Sequence, residues 1–555
     1  MVSPPNTDRR PTALSGRWLG RWTDRLPHWL TADFGRVADV AMMILVAVYI
    51  VALMPGLTRW PPLINDEGRE ANLFWAAARV DPDAERMNAH RGFSTWGNGG
   101  LQGATAAVIF RLFGLGVFQA RMTSLVWGGL LLLVIYWLGR RYWNRPAGLA
   151  AATMMAVSNP FLVATHTLRP DVQVVVIVLG ALLLAERSLD AVTRRPLLFA
   201  FGAGLLLGLV VDTHPNGLAF FPLVALVFPL RQGWRAFLRR REVWLFGAGI
   251  GAAALYYLMI RFAPDPGGFI AGLNYWVGVD KAPPAARAAG GIVARLATMV
   301  TNEVARYGDY FGEEPLELAV VALGLAGGLW MAVRGSYPAR LFWLGLIFAG
   351  AFFIVAVSTK SKYYMLLTYP LYLLLLARVL EQTAAWIANR LPPLTPGAGR
   401  RGSQVRIQVA AAAVLTALVA LVMVWPLKLD ERAWDNYIQA RRYRAGQEYT
   451  QLTAQLGELA GPGARILAPP VYWVGLADHP YIDIFVYERL ERQYGMLPAQ
   501  FLDEVQPDFV ITDAKIATDR RIERLLYNEL DARATYELIV RHKNYGDVAV
   551  YRLRR

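Results

Sequence analysis

The sequence predicts a polytopic α-helical membrane protein with about eleven transmembrane helices and a C-terminal α/β domain on the extracytoplasmic side. Hydrophobic residues make up 55% of the 555 residues and charged residues only 18%, with a mean hydropathy of +0.31. Soluble domains carry about 25% charged residues. A series of long apolar stretches followed by a polar C-terminal region gives the same indication. These features exclude a water-soluble multidomain enzyme.

The absence of cysteine and the net charge further restrict the kinds of site and partner that the protein can have. The chain has no cysteine, which excludes disulfides, cysteine metal sites and thiol catalysis. The net charge of +15 would indicate a nucleic acid partner in a soluble protein. In a membrane protein, clustered arginines mark cytoplasmic loops instead, so we expect the lipid bilayer as a partner and no nucleic acid.

A transmembrane helix needs about 20 mostly apolar residues, and eleven stretches approach or meet that length. We predict these spans at about 37–55, 120–139, 146–164, 171–187, 197–213, 217–230, 243–262, 313–334, 340–357, 364–381 and 407–427.

The arginine clusters orient these spans. The basic N-terminus, residues 1–36, is predicted to be cytoplasmic, and every later arginine cluster then also lies in the cytoplasm. This holds only if residues 100–114, which are short and contain Arg111, form an interfacial or re-entrant helix. The sequence thus predicts a transmembrane domain at 37–427 with a first external loop at 56–119, in the plasma membrane.

Residues 428–555 change character and predict a separate extracytoplasmic domain. Strand-like runs occur at 466–468, 509–512, 536–540 and 548–553, and helical patterns at 446–459 and 518–532. The segment 544–547, Asn-Tyr-Gly-Asp, is typical of a hairpin turn.

The first external loop opens with three carboxylates, Asp66, Glu67 and Glu70, ahead of an amphipathic, aromatic-rich helical pattern. One interpretation is structural: Asn65 or Asp66 caps the helix, and the glutamates complement its dipole. The other is catalytic, because a carboxylate can remove a proton from a hydroxyl. The two are compatible, since a cap also fixes the position of a carboxylate.

Three further polar groups fall at the predicted outer ends of helices. The segment 166–171 contains His166, Arg169 and Asp171. His214 follows a later span, and a structural Asp–His pair with Asp212 is an alternative to a ligand site. The run 359–364 places Lys360, Lys362 and Tyr363 at the interface, where lysines can snorkel or hold a phosphate. Cations suit a phosphate leaving group, and an interfacial aromatic helix suits a lipid substrate.

Three of these motifs resemble those of a known family. The early Asp66-Glu67 pair, the Arg-x-Asp of residues 169–171 and the Lys-x-x-Tyr-Tyr of residues 360–364 are similar to those of the GT-C membrane glycosyltransferases. The protein O-mannosyltransferases and the aminoarabinose-lipid A transferases resemble the chain most over about residues 37–381.

The resemblance implies a GT-C-like fold and a glycosyltransferase that moves a sugar from a polyprenyl-phosphate donor to an extracytoplasmic acceptor hydroxyl on a protein, lipid or glycan, with inversion. It implies Asp66 as general base, with Glu67 and Asp171 as the other acidic residues. Arg169, Lys360, Lys362 and Tyr363 become candidates for binding the donor phosphate, and Glu70, His166 and His214 an additional polar site.

Two other classes of function stay open. A transporter or flippase of lipid-linked sugars would show broken helices and charges near the bilayer midplane, and a non-catalytic scaffold would only display the C-terminal domain. No cofactor is required by any motif. A divalent metal held by Asp66, Asp171 and nearby histidines is an open alternative, although no metal-ligand spacing is present.

Overall fold

The computed structural model describes most of the chain. The described residues are 34–58, 61–79, 100–264, 266–267, 269–270, 292–313, 315–357, 362–391, 400–429, 449–517, 522, 526–542 and 544–554. The basic N-terminus 1–33 and the connection 430–448 between the predicted domains lie outside them.

All eleven predicted spans fall on helical segments. Ten of them correspond to helices with the bounds Phe34–Leu53, Val117–Tyr142, Arg145–Ala156 with Asn159–Thr165, Asp171–Ser188, Pro196–Thr213, Arg241–Tyr257, Pro315–Val333, Tyr337–Ala356, Met365–Arg390 and Arg400–Leu429. The predicted class, a polytopic helical membrane protein, is confirmed.

The count of eleven spans is not confirmed by helix length and composition. Within the described residues, six helices are long and apolar enough to cross a membrane, and a seventh span results if Arg145–Ala156 and Asn159–Thr165, bent by 67°, count as one. The apolar parts 317–333 and 407–421 are shorter.

The predicted span 217–230 is not one continuous helix. It consists of a 3-10 turn, Pro215–Phe220, and two short helices, Phe221–Ala225 and Val227–Gln232. Prolines at 215, 222 and 229 explain the interruptions, because each lacks the N–H that a continuing helix needs.

Neighbouring helices in the bundle approach closely where glycine permits it. Asn144 caps the helix Arg145–Ala156 by accepting the Ala147 N–H at 2.9 Å, and Pro146 stands in its first turn. A Cβ on Gly139 would lie 2.5 Å from the Cα of Gly148. The helices on either side of this tight connection therefore pack backbone to backbone.

Two helices that follow the first long helix of the bundle pack on each other. Asn65–Arg79 carries the acidic motif, and Gly100–Phe113 is the segment predicted to be interfacial or re-entrant. The rings of Trp75 and Phe110 meet edge to face at 5.9 Å. A helix is confirmed here, and its position in the membrane stays a prediction.

The C-terminal region forms a five-stranded mixed sheet, in the order β2-β1-β3-β5-β4. The strands are β1 (Ile466–Ala468), β2 (Tyr481–Asp483), β3 (Phe509–Thr512), β4 (Ala534–His542) and β5 (Gly546–Leu553). The first three are parallel, whereas β5 is antiparallel to β3 and β4. The predicted α/β character and hairpin turn are confirmed, with Gly546 at a φ of 70° in the turn.

The loop helices and the C-terminal region share one apolar core. Buried side chains of the loop helices, such as Phe74 and Phe110, belong to the same cluster as Leu452, Tyr472 and Val550. The C-terminal region therefore packs directly on the helices Asn65–Arg79 and Gly100–Phe113.

Candidate active site

Asp66 lies in the first turn of the helix Asn65–Arg79 and stands at the edge of a buried ionic network. Its Oδ2 accepts a hydrogen bond from Nη1 of Arg169 at 2.6 Å, while 52% of its side chain remains exposed. The carboxylate is thus both held in place and exposed to solvent.

Arg169 joins two carboxylates from distant parts of the chain. Its Nε donates to Oδ2 of Asp171 at 2.8 Å, and both of these side chains are buried. The guanidinium carbon lies 4.8 Å from the ring centroid of Tyr363 and 6.0 Å from that of Tyr364. These cation–π contacts fix the plane of the guanidinium beside Asp66.

The surrounding charges keep Asp66 ionised. Desolvation by the surrounding protein would by itself raise the pKa of this carboxyl. The charges of Arg169, Arg69 and Lys515 outweigh that effect and lower the pKa below its ordinary value. Asp66 is therefore a carboxylate at neutral pH and can accept a proton.

Glu67 differs from its neighbour because its two oxygens are fully engaged. They accept from Nε and Nη2 of Arg121 at 2.8 and 2.9 Å, and also from the backbone N–H groups of Leu168 and Ile64. Both partners of this ion pair are buried. Such a bidentate pair positions the acidic helix against the bundle.

The three polar side chains at the start of this helix bond to different partners. The bond back to the helix start is made by Glu67, which accepts the Ile64 N–H at 3.2 Å. Asn65 instead accepts the N–H of Val471 in the C-terminal region at 3.3 Å. Asp66 bonds to Arg169, so the capping and catalytic interpretations fall on different side chains.

The remaining predicted polar residues lie around this network in different ways. The His214 ring lies 6.0 Å from the Tyr364 ring and is tilted by 58° to it. Its Nδ1 accepts the Asn216 N–H at 3.1 Å, and burial lowers the pKa of His214 to about 4. His166 is buried with Nδ1 2.7 Å from the Leu162 carbonyl, and burial lowers its pKa to about 4 as well. Glu70 is half-buried one turn beyond Asp66.

The predicted phosphate-binding lysines are described only in part. Lys360 lies outside the described residues, and Lys362 starts the short 3-10 helix Lys362–Tyr364, with its side chain outside the description. Tyr363 is brought to Arg169, as described above. Lysine binding of phosphate therefore stays a prediction.

Sequence reasoning missed several contributors to the site. Arg121 is not among the predicted site residues, yet it is the partner of Glu67. Arg69 lies 3.8 Å from Asp66 on the same helix, a separation of three residues that could have indicated the contact. No signal in the sequence connects Lys515 with Asp66.

The donor set does not favour a metal between Asp66 and Asp171. The Arg169 guanidinium already stands between these carboxylates and binds one oxygen of each. Among the residues that the structure describes, no group of three or more His, Asp or Glu side chains is placed to hold a metal ion. Metal dependence remains a prediction to be tested with a chelator.

The bundle of apolar helices and the small C-terminal α/β region together form a GT-C fold, which two solved structures share. The family model for dolichyl-phosphate-mannose-protein mannosyltransferases matches residues 101–260. The chain thus resembles the protein O-mannosyltransferases over the first half of its membrane bundle.

Two solved structures carry the fold assignment. The ArnT protein from Cupriavidus metallidurans, solved with undecaprenyl phosphate, is 16% identical, with a TM-score of 0.59 over 94% of this chain and 98% of that one. The oligosaccharyltransferase from Archaeoglobus fulgidus is 14% identical, with a TM-score of 0.50 over 94% of this chain and 75% of that one. No curated protein matches the sequence.

Proposed function

We propose that this protein is a glycosyltransferase that moves a sugar from a polyprenyl-phosphate donor to an acceptor hydroxyl outside the cytoplasm. One observation carries the proposal: within a GT-C fold, the half-exposed Asp66 carboxylate is held 2.6 Å from a buried arginine. This combination offers a base to one substrate and a positive charge to the other. The undecaprenyl phosphate in the ArnT structure supports the class of donor.

The proposed reaction is a single displacement at the anomeric carbon. The acceptor oxygen attacks as Asp66 takes its proton, the new glycosidic bond forms, and the bond from the anomeric carbon to the phosphate oxygen breaks with its electron pair on the phosphate. Attack opposite the leaving group inverts the configuration. General-base assistance of this kind typically contributes about 10²–10⁴-fold in rate.

Arg169 would stabilise the leaving phosphate. Its Nε and Nη1 bind the two carboxylates, and we assign a donor oxygen to Nη2. Lys360 and Lys362 are the further candidates for the phosphate, since negative charge grows there in the transition state. Asp171 then orients Arg169, and Glu67 acts as a positioning residue rather than a catalyst.

Replacement of Asp66 by asparagine tests the base. In membranes of a strain that lacks the gene, wild-type or variant protein is expressed, and mass spectrometry follows conversion of polyprenyl-phosphate sugars to free polyprenyl phosphate. We expect Asp66→Asn to lose transfer while the purified protein still binds undecaprenyl phosphate in native mass spectrometry.

Asp503→Asn is the matched control, because Asp503 is exposed and pairs with Arg533 away from the membrane bundle. The control should transfer normally. Near-normal transfer by Asp66→Asn would remove Asp66 from the mechanism and leave it a structural role.

We also propose that the site and the C-terminal region face outward from the plasma membrane. The native chain has no cysteine, so single introduced cysteines report on sidedness. An impermeant thiol reagent applied to intact cells should label Arg541→Cys, whose native side chain is 88% exposed, and should spare Ser403→Cys. The reverse labelling would overturn the orientation.

The transporter alternative draws on the helix break between Ala156 and Asn159. The acidic group at this break is Glu317, which accepts the Asn159 N–H at 3.0 Å and the Tyr310 hydroxyl at 2.5 Å. A buried carboxylate at a helix start that is bonded on both oxygens caps the helix. This arrangement favours a structural break, and the enzyme remains the proposal.

A further inference from the structure

The backbone of the helix that carries Asp66 is in direct contact with the backbone of the C-terminal region. A Cβ added to Gly68, two residues after Asp66, would lie 1.8 Å from the carbonyl oxygen of Pro470. Such a distance cannot be tolerated without movement of one backbone. Only glycine allows this approach, so residue 68 reports directly on the contact.

Polar contacts flank the glycine on both sides. Arg69 donates from Nε to Asp483 at 3.2 Å, and its guanidinium lies 5.2 Å from the Phe485 ring centroid. Asp483 is fully buried. On the other side, the Val471 N–H donates to Asn65. These bonds fix the rotation and the height of the first helical turn.

We propose that the C-terminal region is a working part of the active site: Arg69 and Asp483 are positioning residues that set the Asp66 carboxylate. This inference rests on the proposed function, in which Asp66 is the base. The region therefore does more than cover the site or admit the acceptor.

The first experiment measures docking independently of catalysis. Gly68→Ala should increase hydrogen exchange of the amides in 61–79 and lower kcat by about 10²-fold, the cost of a displacement of about 1 Å in an active site. Gly308→Ala is the control, because a Cβ there meets nothing within 4 Å. Unchanged exchange and unchanged kcat in Gly68→Ala would overturn the proposal.

Arg69 and Asp483 are tested by charge exchange. Asp483→Arg should loosen the first turn in hydrogen exchange and lower kcat, and the double variant Arg69→Asp with Asp483→Arg should recover the exchange protection and part of kcat. Failure of the double variant to recover either would remove the pair as a positioning device.

These outcomes separate the inference from the proposed function. If Asp66→Asn keeps full transfer, the base assignment fails, while the hydrogen exchange of Gly68→Ala still reports whether the helix is docked. If Asp66→Asn loses transfer and the Gly68 and Asp483 variants behave as wild type, the function stands and the inference fails.

Discussion

The two ends of the helix Asp171–Ser188 each carry an ionic network, and the networks differ in one respect. At the C-terminal end, Glu186 is fully buried and accepts from Tyr142, Tyr337, Arg141 and Arg231 at 2.5–3.5 Å. At the N-terminal end, the network passes from Asp171 through Arg169 to Asp66, whose side chain is half-exposed.

The difference distinguishes a structural cluster from a site. A carboxylate whose bonds are all satisfied inside the protein has no capacity left for a substrate, whereas Asp66 keeps one side open. Buried ion pairs by themselves are weak evidence for function. The network at the N-terminal end of this helix has an additional property: its Asp66 carboxylate is held in position and is exposed to solvent.

The largest expected effect is a loss of stability when the buried ion pair between Glu67 and Arg121 is broken. Glu67→Gln leaves the buried Arg121 without its counter-charge and turns an amide N–H₂ toward other donors. Breaking a buried pair typically costs about 3–5 kcal/mol, so we expect a correspondingly lower unfolding free energy or loss of folded protein. Thermal unfolding in detergent measures it, and stability near that of the wild type would contradict the anchoring role.

A smaller effect, on kcat, is expected from a substitution at the N-terminal end of the helix Asp171–Ser188. Asp171→Asn keeps an oxygen for Arg169 but removes one of its two negative partners, so Asp66 is drawn into a tighter pair and becomes a poorer base. We expect kcat to fall by about 10²-fold, with Asp66 still balancing the buried charge and stability little changed. Normal kcat together with strong destabilisation would place Asp171 with the structural cluster instead.

The smallest expected effect on transfer is that of a substitution at the C-terminal end of the helix Asp171–Ser188. Glu186→Gln leaves buried donors short of an acceptor, which costs about 1–3 kcal/mol per unsatisfied group. Transfer by the folded protein should be unchanged in the membrane assay described above. A loss of transfer without a loss of stability would mean that the two ends are coupled through the helix.

The sequence was sufficient for elements whose signal is local. Strands β1 and β3 have the predicted bounds, and the hairpin at 544–547 follows from its turn residues. Strand β2 was missed, because three residues after Pro480 carry too little alternation to be recognised. The broken segment at 215–232 was predicted as a span because its apolar content hides the effect of three prolines.

The residues of the proposed site could be selected from the sequence, but their contacts could not. Asp66 and Glu67 are adjacent, similar in charge and indistinguishable by pattern. Their roles diverge because Arg121 and Arg169, 54 and 103 residues away along the chain, reach one carboxylate each. Contacts over such separations are set by packing, which no spacing rule encodes.

The contact between Asn65 and Val471 also orders events during synthesis, since these residues are 406 positions apart. At roughly 5–20 residues per second, a ribosome needs about 20–80 s to pass from one to the other. During that interval the first external loop lacks the partner that completes its apolar core. The nascent chain is therefore assembled with its acidic helix uncovered, and the site matures only when the last strands arrive.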